Sequence, residues 1–152
     1  MLVVAPADPR APGPRALLEA SHAMMRAGFA PEENYFLGID ALCAPDIRFF
    51  GAREGAETLG TGALALRDGY GEVKAMFTAE TARGRGVAAA LLRAIEDEAR
   101  GLGLPLLRLE TGTGLDAALR LYESAGFARC ARFGDYRPNA TSIYMEKRLE
   151  EG

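Results

Sequence analysis

Apolar residues recur along this chain with two distinct periods. Between Gly86 and Gly101, Val87, Ala88, Leu91, Leu92, Ile95 and Ala99 fall on one stripe while Arg93, Glu96, Asp97 and Arg100 face away, which predicts an amphipathic helix. Arg93 with Asp97 and Glu96 with Arg100 are spaced as i,i+4 ion pairs, and Gly101, Gly103 and Pro105 stop the helix. The run Arg15 to Ala27 carries Leu17, Leu18, Ala20, Ser21, Met24 and Met25 at the same spacing and ends at Gly28. Leu115, Ala118, Leu119 and Tyr122 predict a shorter helix that ends at Gly126, with Thr113 to Asp116 matching a capping box. A polar turn at Ala30-Pro31 leads into a short second helix stopped by Pro45.

The remaining apolar positions read as strands. Residues 2 to 5, Asp46 to Arg53 and Thr58 to Arg67 are expected to be extended, the last two separated by a turn at Gly55. Asp68-Gly69 predicts a second hairpin into a strand from Gly71 to Thr78. Leu106-Leu107-Arg108-Leu109-Glu110 is a largely apolar strand, expected to be buried beside Glu72 to Thr78 in a parallel pair, and the intervening helix completes a right-handed βαβ unit. Phe127 to Phe133 and Ser142 to Arg148 close the chain as antiparallel strands around a loop from Gly134 to Asn139. No internal repeat is visible, and residues 1–152 are read as a single domain.

Composition narrows the classes. A chain of 152 residues with 49% apolar and 26% charged positions is ordinary globular material, and no stretch approaches the ~20 apolar residues of a membrane span. The opening Met1 to Ala5 breaks at once into prolines, so export has no support and a cytoplasmic protein is expected. Cys43 and Cys130 are isolated from each other and from histidines; we read them as reduced, buried fillers, with no disulfide framework and no metal. A net charge of -3 argues against nucleic acid as a partner. His22, the only histidine, sits in the first helix without an evident partner and is read as a structural or surface residue.

The segment Arg83-Gly84-Arg85-Gly86-Val87-Ala88 lies between a strand and the strongest helix. A helix N-terminus carries unpaired N–H groups and about half a positive charge, and glycines there let phosphate oxygens approach the backbone. Taken alone, the same residues describe a flexible turn with solvated arginines. A Walker loop and a dinucleotide fingerprint are both absent, so the turn is of another kind.

Arg83-x-x-Gly86-x-Ala88 matches the Q/R-x-x-G-x-G/A signature of the GNAT superfamily of N-acetyltransferases, and Leu121-Tyr122-Glu123-Ser124-Ala125-Gly126-Phe127 resembles its L-Y-x-x-x-G-F signature. The chain is most similar to a bacterial subgroup with Glu72-Val73-Lys74-Ala75-Met76, Leu109-Glu110-Thr111-Gly112 and Phe133-Gly134-Asp135-Tyr136. The resemblance implies an α/β (α+β) GNAT fold: a mixed, mostly antiparallel sheet of six to seven strands with a central parallel pair and helices on both faces. It implies acetyl-CoA as acyl donor without a metal. Backbone amides across Arg83, Gly84, Arg85, Gly86, Val87 and Ala88 would hold its pyrophosphate, and Met76, Phe77 and Thr78 its pantetheine arm. The thioester would lie where the parallel strands splay. Leu115 stands where the family often has an asparagine, so that cofactor contact is absent.

The resemblance implies direct transfer to an amine of a small-molecule or peptide acceptor, and leaves room for a homodimer. An amine of pKa about 10.4 holds its proton at pH 7 with about 4.6 kcal/mol against release, so a base is useful. Glu72 and Glu110 are the candidates, and either could instead bind a cationic acceptor; Glu72 could also be an exposed carboxylate paired with Lys74. Tyr122 resembles the family's general acid for the thiolate, and could instead be a packed core residue. Tyr35, Phe36, Phe133, Asp135, Tyr136 and Arg137 lie on loops expected to shape the acceptor pocket. A non-catalytic acyl-CoA sensor is the alternative function; RNA binding through Arg-Gly-Arg-Gly has little support.

Overall fold

The computed structural model describes residues 1–149. One seven-stranded sheet runs in the order β1 (Leu2–Pro6), β2 (Ile47–Glu54), β3 (Glu57–Leu66), β4 (Gly71–Thr78), β5 (Leu106–Gly112), β7 (Ser142–Arg148), β6 (Ala128–Arg129). Every neighbouring pair is antiparallel except β4 and β5. Helices α1 (Pro12–Gly28) and α2 (Ile39–Leu42) cover one face, and α3 (Val87–Gly101) and α4 (Asp116–Ser124) the other. Among the described residues no helix is long and apolar enough to cross a membrane.

The periodicities explain the two cores. Val87, Leu91, Leu92, Ile95 and Ala99 of α3 bury against Leu59, Leu64, Val73, Leu107, Leu109 and Met145 of the sheet. On the opposite face Leu18 of α1 and Leu42 of α2 pack on Phe49 and Ala63, the smaller core. His22 is buried in this layer, its ring stacked on Phe36 at 4.3 Å; desolvation, then the charge of Arg26, lowers its pKa.

The departures from the sequence reading are local. Glu96 does not face solvent: it is buried and binds Lys147 of β7 at 3.0 Å as well as Arg100 at 3.5 Å. Asp97 pairs with Arg100 at 3.8 Å rather than with Arg93. The expected capping box is not formed, because α4 begins later, with Leu115 at its N-cap and no side-chain cap. The strand expected over Phe127 to Phe133 shrinks to Ala128–Arg129 on the outer edge of β7; beyond Cys130 the chain leaves that edge and Phe133 packs against Tyr70 and Tyr136. The region after Ala30 forms a single 3-10 turn, Pro31–Glu33, before the four-residue α2. Cys43 and Cys130 are free but only half-buried.

The central pair does not stay together. β4 and β5 are paired only at Gly71 with Leu107 and Glu72 with Arg108. Beyond that, β5 continues on β7 as far as Gly112 with Ser142, while β4 continues on β3 as far as Thr78 with Gly60. A cleft opens between them.

Glycine at position 60 lets α3 sit close to this sheet. A Cβ there would lie 2.7 Å from Val87 Cγ1, 3.0 Å from Leu91 Cδ1 and 3.1 Å from the Phe77 carbonyl oxygen. Overpacking of that kind costs about 1–3 kcal/mol. Gly60→Ala is therefore expected to lower the chemical-denaturation midpoint by that equivalent and to weaken ligand binding at the start of α3; wild-type stability would contradict the close approach.

Candidate functional site

At the start of α3 the chain turns through Gly84 (φ +80°) and Gly86 (φ +78°), both in the left-handed region that side chains resist. Gly86 is the N-cap of α3, with no side-chain cap and no acidic residue in the first turn. The first N–H groups of a fifteen-residue helix thus remain available to an anion. A Cβ at Gly84 or Gly86 would meet nothing within 4 Å, so open space lies over the turn. Val87 is buried and anchors the turn to the core, leaving its amide rather than its side chain for a ligand. Arg83 and Arg85 are exposed, and Arg85 is ion-paired with Glu54. A groove of about 260 Å³ lies between α3 and α4, with Ala89, Arg93, Leu121 and Ser124 among its walls.

Met76, Phe77 and Thr78 form the half-buried end of β4, past the point where β5 has left it. Their β3 side remains paired, Phe77 with Thr61 and Thr78 with Gly60, so any strand-like partner must come from the cleft. Just before them Ala75 has φ +56°, and its carbonyl accepts a hydrogen bond of 2.8 Å from the Thr61 hydroxyl.

Tyr122 approaches from α4. It is 6% exposed and packs edge-on to Phe127 at 5.8 Å between ring centres. Burial, and secondarily the charge of Glu110, pushes its pKa up, so the phenol stays protonated. Among the described residues the buried hydroxyl left without a partner is that of Tyr144, on β7 opposite Glu110.

Glu72, Lys74, Arg108, Glu110 and Tyr144 lie on the α1 side of the sheet, following the alternation of β4, β5 and β7. Glu72 is not the exposed carboxylate the sequence allowed: it is 3% exposed. Arg67 Nε donates to it at 3.2 Å, Lys74 Nζ stands 3.5 Å away, and the Tyr136 hydroxyl donates to its other oxygen. Lys74 also donates to the Tyr136 oxygen at 2.9 Å and to the Tyr35 carbonyl at 3.0 Å. Burial, together with the Glu72 charge and hydrogen bond, raises the Tyr136 pKa far above its ordinary value.

Glu110 has no such cationic shell. Among the described residues only the Ser142 hydroxyl donates to it, at 2.7 Å, and Asn139 Nδ2 in turn donates to the Ser142 oxygen at 2.9 Å. Burial raises the Glu110 pKa; the Ser142 hydrogen bond and Lys74 oppose the rise, and Glu72 adds to it.

The three short motifs of the sequence therefore meet in one place. Tyr136 of the Phe133 loop lands on Glu72 and Lys74, and its ring contacts Tyr35 at 4.8 Å, Phe133 at 5.3 Å and Tyr144 at 5.6 Å. Phe36 instead turns to His22, and Asp135 and Arg137 are exposed. Thr61, Arg67, Asn139, Ser142 and Tyr144 escaped the sequence reading. Strand alternation from Glu110 would have flagged Tyr144 once the β7 register was known; the others act through folding contacts that carry no local pattern.

The sequence profile of the Acetyltransferase (GNAT) family matches residues 16–127. The chain belongs to that family. It is 46% identical over 123 residues to IAA acetyltransferase of Azospirillum brasilense, covering 80% of each chain. Among solved structures, a candidate acyl-CoA N-acyltransferase from Klebsiella pneumoniae superposes with a TM-score of 0.82 at 29% identity over 99% of both chains. The Salmonella typhimurium protein yncA, solved with its cofactor acetyl-CoA, shares the fold at a TM-score of 0.75 and 19% identity, over 99% of this chain and 95% of its own. The GNAT acetyltransferase fold expected from the two signatures is thus the one observed, including its parallel β4–β5 pair and helices on both faces.

A raised carboxyl pKa in the folded state favours the folded state below the unfolded pKa, and that contribution is lost as pH rises through the folded pKa. Glu110 therefore strains this acetyltransferase at neutral pH. Glu110→Gln keeps an acceptor for Ser142 and removes the charge, so it is expected to match or exceed wild-type stability at pH 7, with the advantage shrinking toward pH 4 in chemical denaturation. A variant less stable than wild type at pH 7 would show the carboxylate to be stabilised where it lies.

Proposed function

We propose that the chain is one catalytic domain, residues 1–152, that transfers an acetyl group from acetyl-CoA directly to an amine of a small molecule or peptide in the cytoplasm. The observation that carries this is the cleft between β4 and β5, which starts beside an anion-ready helix terminus and has a protonated tyrosine on one side and a poorly neutralised carboxylate on the other. Amides from Arg83 to Ala88 take the pyrophosphate, and Met76, Phe77 and Thr78 pair with the pantetheine arm along the open edge of β4. The relative named IAA acetyltransferase points the same way for acetyl transfer.

Chemically, the acceptor ammonium gives its proton to Glu110, and the neutral nitrogen attacks the thioester carbonyl carbon. A C–N bond forms, the C–S bond breaks, and the departing thiolate takes the Tyr122 proton; the nitrogen sheds its second surplus proton to solvent as the amide forms, and the Tyr122 phenolate recovers a proton from solvent. Of the two candidate carboxylates Glu110 suits the base better: burial brings its pKa toward neutrality, and one of its oxygens has no partner among the described residues. Glu72 has both oxygens engaged, by Arg67 and by Tyr136 with Lys74 close by, and serves to hold the Tyr136 loop over the acceptor side.

Acetyl-CoA binding is measured by calorimetry, followed by free-thiol release with pooled amines, amino acids and polyamines; binding with thiol release is expected. Glu110→Gln is expected to lower kcat by about 10²-fold or more, and to abolish the acidic limb of the pH–rate profile, which lies above the usual carboxylate range because activity falls as Glu110 takes up a proton. Tyr122→Phe is expected to lower turnover at near-constant acetyl-CoA affinity. Binding without thiol release would replace transfer with sensing, and an acidic limb unchanged in Glu110→Gln would remove its role as base.

A further inference from the structure

We propose that Thr61 is a positioning residue of the transfer reaction: its hydroxyl pins the Ala75 carbonyl, and thereby holds the β4 backbone in the shape that presents a donor to the thioester. This rests on the proposed placement of acetyl-CoA in the β4–β5 cleft. Four observations lead to it.

Ala75 is the sole non-glycine residue with positive φ among the described residues, at +56°. For a residue with a Cβ that conformation is strained and persists only where surrounding contacts impose it. Ala75 also sits where the β3–β4 register slips. Thr61 pairs with Phe77 and Ala63 with Lys74, so Ala75 and Met76 together oppose Gly62. Two residues against one is a bulge, which bends its strand and leaves the extra residue outside the ladder. The bend follows directly on the point where β4 parts from β5, since their last paired residues are Glu72 and Arg108.

Thr61 is completely buried, with 0% exposure. A hydroxyl in that position needs a partner, and the one it has is the Ala75 carbonyl at 2.8 Å. Because the Ala75–Met76 peptide is planar and trans, a carbonyl drawn toward Thr61 turns the Met76 N–H the opposite way, away from β3. An N–H held there by a buried contact is preorganised for the oxygen of a thioester in the cleft, where negative charge grows as the amine attacks. Donors fixed in this way contribute through not having to reorient. Thr61 touches neither reactant; it acts through the peptide it pins.

The experiment compares Thr61→Val, which keeps the shape and loses the hydroxyl, with Thr61→Ser, which keeps the hydroxyl, each alone and combined with Ala75→Gly. With the amine that supports thiol release in the wild type, Thr61→Val is expected to lower kcat at least tenfold with a much smaller change in acetyl-CoA affinity, and Thr61→Ser to restore most of it. Glycine adopts positive φ without the hydroxyl's help, so Thr61→Val should cause little further loss in the Ala75→Gly background. Wild-type kcat in Thr61→Val, an equal loss in Thr61→Ser, or an undiminished loss in the glycine background would each overturn the inference. Should Thr61→Val fail to fold, Thr61→Ala replaces it in the same comparison. Amide exchange at Met76 reads the pin without turnover: faster exchange in Thr61→Val than in Thr61→Ser is expected, and equal exchange overturns it. A wild type that binds acetyl-CoA but releases no thiol with any amine would instead sink the proposed function.

Discussion

Two strands hydrogen-bonded along their whole length leave nothing between them for a ligand, so everything at this site depends on β4 and β5 parting. They hold together for Gly71 and Glu72 and no further. Each then keeps an antiparallel partner on its other side, β3 for one and β7 for the other, so the sheet stays closed everywhere except along this seam. The exposed backbone of β4 is costly to leave unpaired in a buried setting. A ligand able to hydrogen-bond like a strand would satisfy it, which makes the defect and the proposed binding site one feature.

The seam also lets chemistry from opposite faces of one sheet meet. Tyr122 reaches it from the α3 and α4 layer, Glu110 from the α1 layer, and the Glu110 charge is felt by the phenol. On the α1 side, two carboxylates on neighbouring strands are given unequal surroundings. Glu72 is bound by Arg67, Lys74 and a tyrosine hydroxyl, whereas Glu110 has a serine hydroxyl and the more distant field of Lys74. Surroundings that separate two acids in this way assign them different work, one structural and one able to exchange a proton. The Tyr35, Phe133 and Tyr144 rings pack around that of Tyr136, which is bound to Glu72.

What could be read from the chain was whatever is encoded locally. The α3 stripe, the Asp68-Gly69 hairpin, the glycine turn before α3 and the apolar run of β5 are contiguous patterns, and all four are present. The motifs flagged Glu72, Lys74, Glu110 and Tyr136, but not that Tyr136 would donate to Glu72 across 64 residues of sequence. That contact converts an apparently solvated strand-start acid into a buried one. Glu96 failed in the same manner: on a helical wheel it belongs to the polar face, and only the arrival of Lys147 on β7 makes that face interior. The bulge was invisible because alanine, not glycine, occupies the left-handed position, and alanine announces nothing.

Both halves of the donor site are set by three consecutive residues of β3. Gly60 lets the first turns of α3 close on the sheet, with Val87 and Leu91 filling the place of a side chain. Gly62 does the same for Met76 and Ile95, where a Cβ would lie 2.8 Å from the Met76 sulfur. Between them Thr61 turns its hydroxyl to the Ala75 carbonyl. The anion-ready end of α3 and the open edge of β4 are therefore measured from the same strand, which in the proposed placement of acetyl-CoA would fix the distance between its pyrophosphate and its thioester. Arg85, ion-paired with Glu54, is not needed for that distance. In the proposed placement, backbone dipoles rather than surplus cations would hold the polyanion, which is compatible with a net charge of -3.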